Sequence, residues 1–439
     1  EAIPVPATAL VPIVVLPVFG IVPLTEAAAG YAHPLVFLFL GGMLIGESLQ
    51  RWSLHRRIAL TIVRVLGSAR SRIALGFMAA TALLSMWISN TATAVMMVPI
   101  ASSVVGALAG FDADEEDSRG FGVALMLGIA YAASFGGIAT LIGTPPNALM
   151  AAFFAQTYDM DISFARWMMF ALPISVTLLL IAWWLLTRIL HRGVFQSSAT
   201  GTNVEKSGVI ERELRAMGAL RAPERRVGLV FLSAALLWVF RPLLNQWPPL
   251  AFVSDPGIAI FCALLLFLLP AGGEEDSGRL LSWDSAQKIP WGILVLFGGG
   301  LSLASGISSS DLDTWLGEVL RGAGTLPPFL FLVLVAGAIL AMTEIASNTA
   351  TVAALLPVLA VLAGAVGMDP LLLAAPAVVA ASCAFMLPAA TPPNAIVFSS
   401  GYLTIPDMMR AGIVVNLLSL AVVSVAGWIL IPVLFGTGP

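Results

Sequence analysis

Along this chain, apolar runs of membrane-spanning length alternate with short polar stretches. The alternation predicts nine crossings: 4–24, 31–50, 121–150, 166–190, 227–247, 256–270, 290–307, 371–401 and 411–436. The runs are continuous and lack the residue-by-residue alternation of a barrel strand, so the elements are helices. Two more apolar stretches, 73–108 and 328–364, are too long for one helix and too short for two with a loop. Both carry polar residues at the centre. Each is expected to enter the bilayer and return on the same side as a helical hairpin, because non-helical backbone at that depth survives only inside protein or beside a cavity.

Basic residues set the orientation. Segment 51–72 carries six Lys or Arg and 188–226 carries eight; with both on the cytoplasmic side, alternation leaves eighteen inside and only Arg166, Arg241 and Arg321 outside. The C-terminus is then expected outside the cell, in a multi-pass protein of the inner (plasma) membrane. Within 51–72, Arg51, Arg56, Arg57 and Arg64 fall among Leu54, Ile58, Ile62 and Val65. That pattern suits an interfacial arm helix, with a plain basic loop as the alternative. The polar stretch 196–224 reads as a linker between halves, and the acidic run 112–117 as a solvated loop.

The halves resemble each other. Leu38-Phe39-Leu40-Gly41-Gly42 returns as Val295-Leu296-Phe297-Gly298-Gly299, offset by 257; Ser89-Asn90-Thr91-Ala92-Thr93 returns as Ser347-Asn348-Thr349-Ala350-Thr351, offset by 258. Thr144-Pro145-Pro146-Asn147-Ala148 returns as Thr391-Pro392-Pro393-Asn394-Ala395, offset by 247. Five crossings, an odd number, separate 31–50 from its copy, so the copies face opposite ways. The expected fold is therefore an all-α polytopic membrane protein with inverted-topology repeats, two re-entrant helical hairpins and broken transmembrane helices, its site near the midplane. The first half has no counterpart of 227–247, which predicts at least one spanning helix ahead of Glu1.

The repeated motifs carry the chemistry. Ser, Asn and Thr compete for backbone hydrogen bonds and mark a hairpin tip where one half-helix ends and another begins. The ending half-helix offers carbonyls to a cation; the starting one offers N–H groups and a positive dipole end to an anion. A Pro-Pro pair removes two donors and frees carbonyls on the preceding turn, which a sodium ion would satisfy. No Lys or Arg falls within these motifs, so an anionic substrate would be neutralised by sodium and helix N-termini. One such motif alone would fit polar glue between packed helices; four in two matched pairs fit a site. Glu344 is expected to salt-bridge within the protein, with a cation-site or proton-relay role as alternatives.

These paired Ser-Asn-Thr and Thr-Pro-Pro-Asn motifs resemble those of the divalent anion:sodium symporters and their bacterial INDY-type dicarboxylate carriers, from Glu1-Ala2-Ile3-Pro4 to the last span. The resemblance implies a homodimeric elevator with a fixed scaffold and a moving transport domain, coupled to sodium and carrying C4-type dicarboxylates. It implies one sodium site from Ser85, Ser89, Asn90 and the Gly143 carbonyl, and another from Thr343, Ser347, Asn348 and the Ala390 carbonyl. Asn90, Thr91, Thr144, Asn348, Thr349 and Thr391 would hold the substrate carboxylates. The implied division is scaffold helices in 1–50, an arm in 51–72, transport domain in 73–190, linker in 191–226, scaffold in 227–307, an outer arm in 308–327 and transport domain in 328–439. Family members have two helices before the point where this chain begins. Sodium-independent dicarboxylate exchange, and sodium-coupled carriage of citrate or sulfate, stay open beside this reading.

Composition agrees with the pattern. The 439 residues are 59% hydrophobic and 10% charged, with a net charge of −4, too little polar surface for a soluble domain of that length. The basic residues sit in separate loops and form no continuous patch, which argues against nucleic acid. Cys262 and Cys383 lie inside apolar runs and read as buried thiols. There is no HExxH motif, no GxSxG elbow and no cluster among His33, His55 and His191, so an enzyme is not expected.

Overall fold

The computed structural model describes residues 3–67, 69–109, 115–196, 208–272, 278–312, 314–315, 318 and 326–437. Among the described residues the chain is helical; the β-contact is an isolated bridge between Pro270 and Arg279. Eight helices among the described residues are long and apolar enough to cross a bilayer: Leu24–Arg51, Asn90–Ala107, Arg119–Ile138, Phe164–Leu190, Ala222–Leu244, Trp291–Ser309, Asn348–Ala365 and Ile405–Phe435. The protein is a multi-pass membrane protein.

Leaving the shortest turns unlabelled, the first half holds α1 (Val11–Val18), α2 (Leu24–Ala29), α3 (Pro34–Arg51), the arm α4 (Leu54–Leu66), a hairpin of α5 (Arg70–Ser85) and α6 (Asn90–Ala109), then α7 (Glu115–Ile138), α8 (Pro145–Tyr158) and α9 (Phe164–Trp184). After α10 (Val209–Ala216), the second half holds α11 (Ala222–Leu244), α12 (Asp255–Leu268), α13 (Trp291–Ser309), a hairpin of α14 (Pro328–Thr343) and α15 (Asn348–Ala365), then α16 (Pro370–Ala381), α17 (Pro392–Ser399) and α18 (Ile405–Phe435). Both hairpins thus fall where the central polar residues predict them.

Three predicted crossings are broken. The run 121–150 is α7 and α8, and 371–401 is α16 and α17; each second helix starts with its Pro-Pro pair at the first two positions, where the missing N–H groups cost nothing. The run 4–24 is interrupted at Ala9 and Leu10, before Pro12, whose ring would clash with the carbonyl four residues earlier in a continuous helix. The linker is also more than a connection. Its residues 209–216 form α10, which docks on the arm: Arg56 pairs with Glu213 at 2.5 Å, and Arg57 bonds Glu224 at 2.6 Å and the carbonyl of Gly218 at 2.9 Å. Of the acidic run, 115–117 open α7 and 112–114 lie outside the described residues, as does half of 308–327.

Buried position follows composition. The most apolar window of α7 is wholly buried, as expected of a helix without a polar face. Gly136 lets it approach α5 closely, since a Cβ there would lie 2.1 Å from the Ala82 carbonyl oxygen. Cys262 and Cys383 are free and buried. In the arm, burial pushes the His55 imidazole below its ordinary pKa, so the charge of this end rests on arginines.

The opposite end of the bundle carries a polar clamp. Arg241, near the end of α11, lies 3.0 Å from Asp255 of α12 and 3.0 Å from Asp161 in the loop before α9. Asp255 also accepts the Phe164 N–H at 2.9 Å, and Trp238 donates to its carbonyl at 3.0 Å. Arg241→Met would strand a carboxylate whose side chain is 4% exposed. The expected loss is about 3–5 kcal/mol, seen as a lower Tm in detergent, with most of it recovered when Asp255→Asn is added. An unchanged Tm in the single variant would mean that water already reaches Asp255.

Candidate functional site

The two hairpin tips are built alike. α5 stops at Ser85 and α6 starts at Asn90; α14 stops at Thr343 and α15 starts at Asn348. In each tip the serine caps the starting helix: the Ala92 N–H donates to the Ser89 hydroxyl at 3.2 Å, and the Ala350 N–H to the Ser347 hydroxyl at 3.5 Å. The breaks in the crossings are matched too. Thr144 and Thr391 sit in extended backbone at the N-caps of α8 and α17.

Tips and breaks meet around one cavity of about 610 Å³. All six predicted substrate residues line it: Asn90, Thr91, Thr144, Asn348, Thr349 and Thr391. So do Ser89, Gly143, Ser347 and Ala390 from the predicted sodium sets. Ser85 and Thr343 do not; both are fully buried behind the tips. The Ser85 hydroxyl donates to Asn90 Oδ1 at 2.5 Å, and the Thr343 hydroxyl to the Leu340 carbonyl at 2.9 Å. Asn348 Oδ1 is buried and has no hydrogen-bond partner among the described residues. An unpaired buried carbonyl oxygen is costly, and a cation is a partner that would satisfy it.

The remaining wall comes from α3 and the start of α13. Phe39, Met43, Glu47 and Gln50 follow α3 toward the arm, and Lys288, Ile289 and Pro290 precede α13. The cavity therefore extends from the site toward the end of the bundle that carries the arginine-rich arm. The sequence reading missed Glu47 and Lys288 as cavity residues, because both are distant in sequence from the repeated motifs.

A family model described as the sodium:sulfate symporter transmembrane region matches residues 1–436. The chain belongs to that family. Sodium-dependent dicarboxylate transporter SdcS of Staphylococcus aureus strain USA300 is 41% identical to it over 440 residues, covering 99% of this chain and 84% of the relative. The protein of that name in Staphylococcus saprophyticus gives the same identity and coverage. Among solved structures, the Alcanivorax borkumensis YdaH transporter, described as having an unusual topology, matches with a TM-score of 0.65 over 94% of this chain and 88% of its own. Its identity is 18%, so it bears on fold alone. The resemblance read from the paired motifs holds, and with it a transporter family in place of an enzyme.

Two further residues of this family member organise the site, and the motif reading quoted them without giving them a role. Asn147 and Asn394, the last residues of the Thr-Pro-Pro-Asn motifs, are both fully buried. Asn147 donates to the carbonyls of Gly137 at 3.0 Å, Ile138 at 3.2 Å and Thr140 at 2.7 Å; Asn394 donates to Ala384 at 3.2 Å and Leu387 at 3.0 Å. Carbonyls freed by the breaks, which the sequence reading gave to sodium, are thus partly taken by asparagine amides. None of these bonds uses Gly143 or Ala390. Glu344 also differs from expectation: no ion pair among the described residues includes it, and its carboxylate accepts backbone N–H groups of the second break.

Proposed function

We propose that this chain is a sodium-coupled secondary transporter of dicarboxylates, with C4 acids as the substrate class. The observation that carries the reading is the convergence of two matched hairpin tips and two matched helix breaks on one cavity. Tip and break oxygens of each repeat form a sodium site: Ser85, Ser89, Asn90 and the Gly143 carbonyl in one, Thr343, Ser347, Asn348 and the Ala390 carbonyl in the other. Asn90, Thr91, Thr144, Asn348, Thr349 and Thr391 hold the carboxylates between them. Coupling follows from electrostatics. The tips and breaks supply no cationic side chain, and Lys288 on the cavity wall is offset by its electrostatic partner Glu47, so a dianion entering without sodium would face a low-dielectric site with no net positive charge to compensate it. The 41% identity to a protein named a sodium-dependent dicarboxylate transporter supports both parts of the reading.

Alternating access works by an elevator in this proposal. Hairpins, breaks, α9 and α18 move as one transport domain against a scaffold of α1–α3 and α11–α13. The cavity extends toward the arginine-rich end, which the distribution of basic residues puts in the cytoplasm, so this is the inward-facing state, in the inner membrane with the C-terminus outside. Leu229, Leu232, Leu236, Phe240 and Leu243 form an exposed apolar stripe on α11, suited to lipid and to a second copy in a homodimer.

Uptake of radiolabelled succinate into proteoliposomes tests the coupling. The full-length protein is expected to accumulate succinate in empty vesicles only under an inward sodium gradient. Uptake confined to vesicles preloaded with unlabelled succinate, and indifferent to sodium, would make this an exchanger. Accumulation of citrate or sulfate in preference to succinate would overturn the C4 assignment.

A further inference from the structure

Each repeat ties its hairpin tip to its helix break, and the two ties are chemically different. In the first repeat the tie is a hydroxyl on the break. Thr140 donates to the Met86 carbonyl at 2.5 Å and accepts the Gly143 N–H at 3.0 Å. By the repeat offsets of 258 and 247, Met86 corresponds to Glu344 and Thr140 to Leu387. In the second repeat the polar side chain has changed sides. Glu344 Oε1 accepts the N–H groups of Phe385 at 2.9 Å and Met386 at 3.1 Å, and Oε2 accepts those of Met386 at 3.1 Å and Leu387 at 3.2 Å. Asn416 of α18 donates its amide to Oε1 at 2.5 Å and takes the Phe385 N–H at 3.2 Å.

Both carboxylate oxygens accept hydrogen bonds, from the backbone N–H groups of the break and, at Oε1, from the Asn416 amide. Glu344 is 7% exposed. It follows Thr343 directly and precedes Ser347 by three residues, and the amides it holds end three residues before Ala390. Every member of the second cation set is therefore on a segment that this carboxylate joins. Charge-assisted hydrogen bonds are roughly twice as strong as neutral ones, and a buried negative charge favours a cation nearby.

We infer that Glu344 is a positioning residue that makes the two sodium sites inequivalent, fixing the second site's geometry and giving it the higher sodium affinity. The inference rests on the sodium-coupled reading above. Glu344 touches neither substrate nor cation; it acts through the break it holds. The first repeat, tied instead by a neutral hydroxyl on the break, binds its ion more weakly.

The test is the sodium activation curve of succinate uptake by full-length protein in proteoliposomes, wild type against Glu344→Gln. The variant keeps the size of the side chain and removes the charge. Its half-saturating sodium concentration is expected to rise about tenfold, the equivalent of about 1.4 kcal/mol, with little change in succinate KM at saturating sodium. The Tm increase that sodium chloride gives over choline chloride at equal ionic strength is expected to shrink with it. Asn416→Ala, which removes one donor and leaves the carboxylate, is expected to shift sodium dependence in the same direction by less, and it carries the test if Glu344→Gln fails to fold. A lower Tm or Vmax with an unmoved sodium curve would make Glu344 a structural tie only and overturn the inference. A wild type indifferent to sodium would overturn the coupling reading and this inference together.

Discussion

Asn348→Ala is expected to lower sodium-driven succinate uptake at least about 100-fold, with Asn90→Ala close behind. Each asparagine starts a half-helix at a hairpin tip and lines the cavity, and in the proposed site each belongs to both a cation set and a carboxylate set. Bonds to charged groups contribute about 1.5–3 kcal/mol each. Losing one to the cation and one to the substrate amounts to about 3–6 kcal/mol, or two to four powers of ten. The two positions differ in detail. Asn90 Oδ1 already accepts the Ser85 hydroxyl, whereas Asn348 Oδ1 is buried without a partner. Asn348→Ala therefore removes an oxygen with no hydrogen-bond partner among the described residues, and it should cost the folded protein less stability than activity. Uptake normalised to protein in the vesicles, alongside Tm, checks this. Retention of uptake within twofold in either variant would move the site elsewhere.

Much of this arrangement was legible in the chain. Ser-Asn-Thr at 89–91 and 347–349 is locally decisive, because such residues cap a helix start better than they fill a helix interior, and both helices begin at the asparagine. Thr-Pro-Pro is decisive for a related reason: two prolines fit only the first turn of a helix, so a crossing that contains them has to be broken. What escaped reading depends on direction and distance. A motif names Asn147 and Asn394 but not which way their amides point, and here they point back into the break. The exchange of polarity between Met86 with Thr140 and Glu344 with Leu387 joins residues 54 and 43 apart in the chain. No local pattern links them. The docking of α10 was hidden because eight residues make barely two turns, too short a run to mark a helix inside a polar stretch, and the Arg56–Glu213 pair spans 157 residues.

Gly143→Ala is expected to abolish uptake through the first repeat's break, while Ala390→Gly, at the corresponding position, stays active. A Cβ on Gly143 would lie 2.5 Å from the Gly137 carbonyl oxygen and 2.9 Å from its Cα, and these are backbone atoms with nowhere to go. Gly137 is confined in turn, since a Cβ there would lie 2.5 Å from Asn90 Oδ1. The two glycines let the first break fold back on itself and pack against the Asn90 side chain of the hairpin tip. Their counterparts, by the offset of 247, are Ala384 and Ala390, so the second break already accommodates a methyl group at both positions. Overpacking of this kind costs about 1–3 kcal/mol of stability, survivable in a bundle of this size. For the proposed cation site the displaced carbonyl is the larger loss, because a site misplaced by about 1 Å can cost about 100-fold in rate. Uptake and sodium-dependent Tm, measured on both variants, separate the effects. A folded Gly143→Ala with wild-type sodium dependence would show that the first break has slack and that its carbonyl is not a cation ligand.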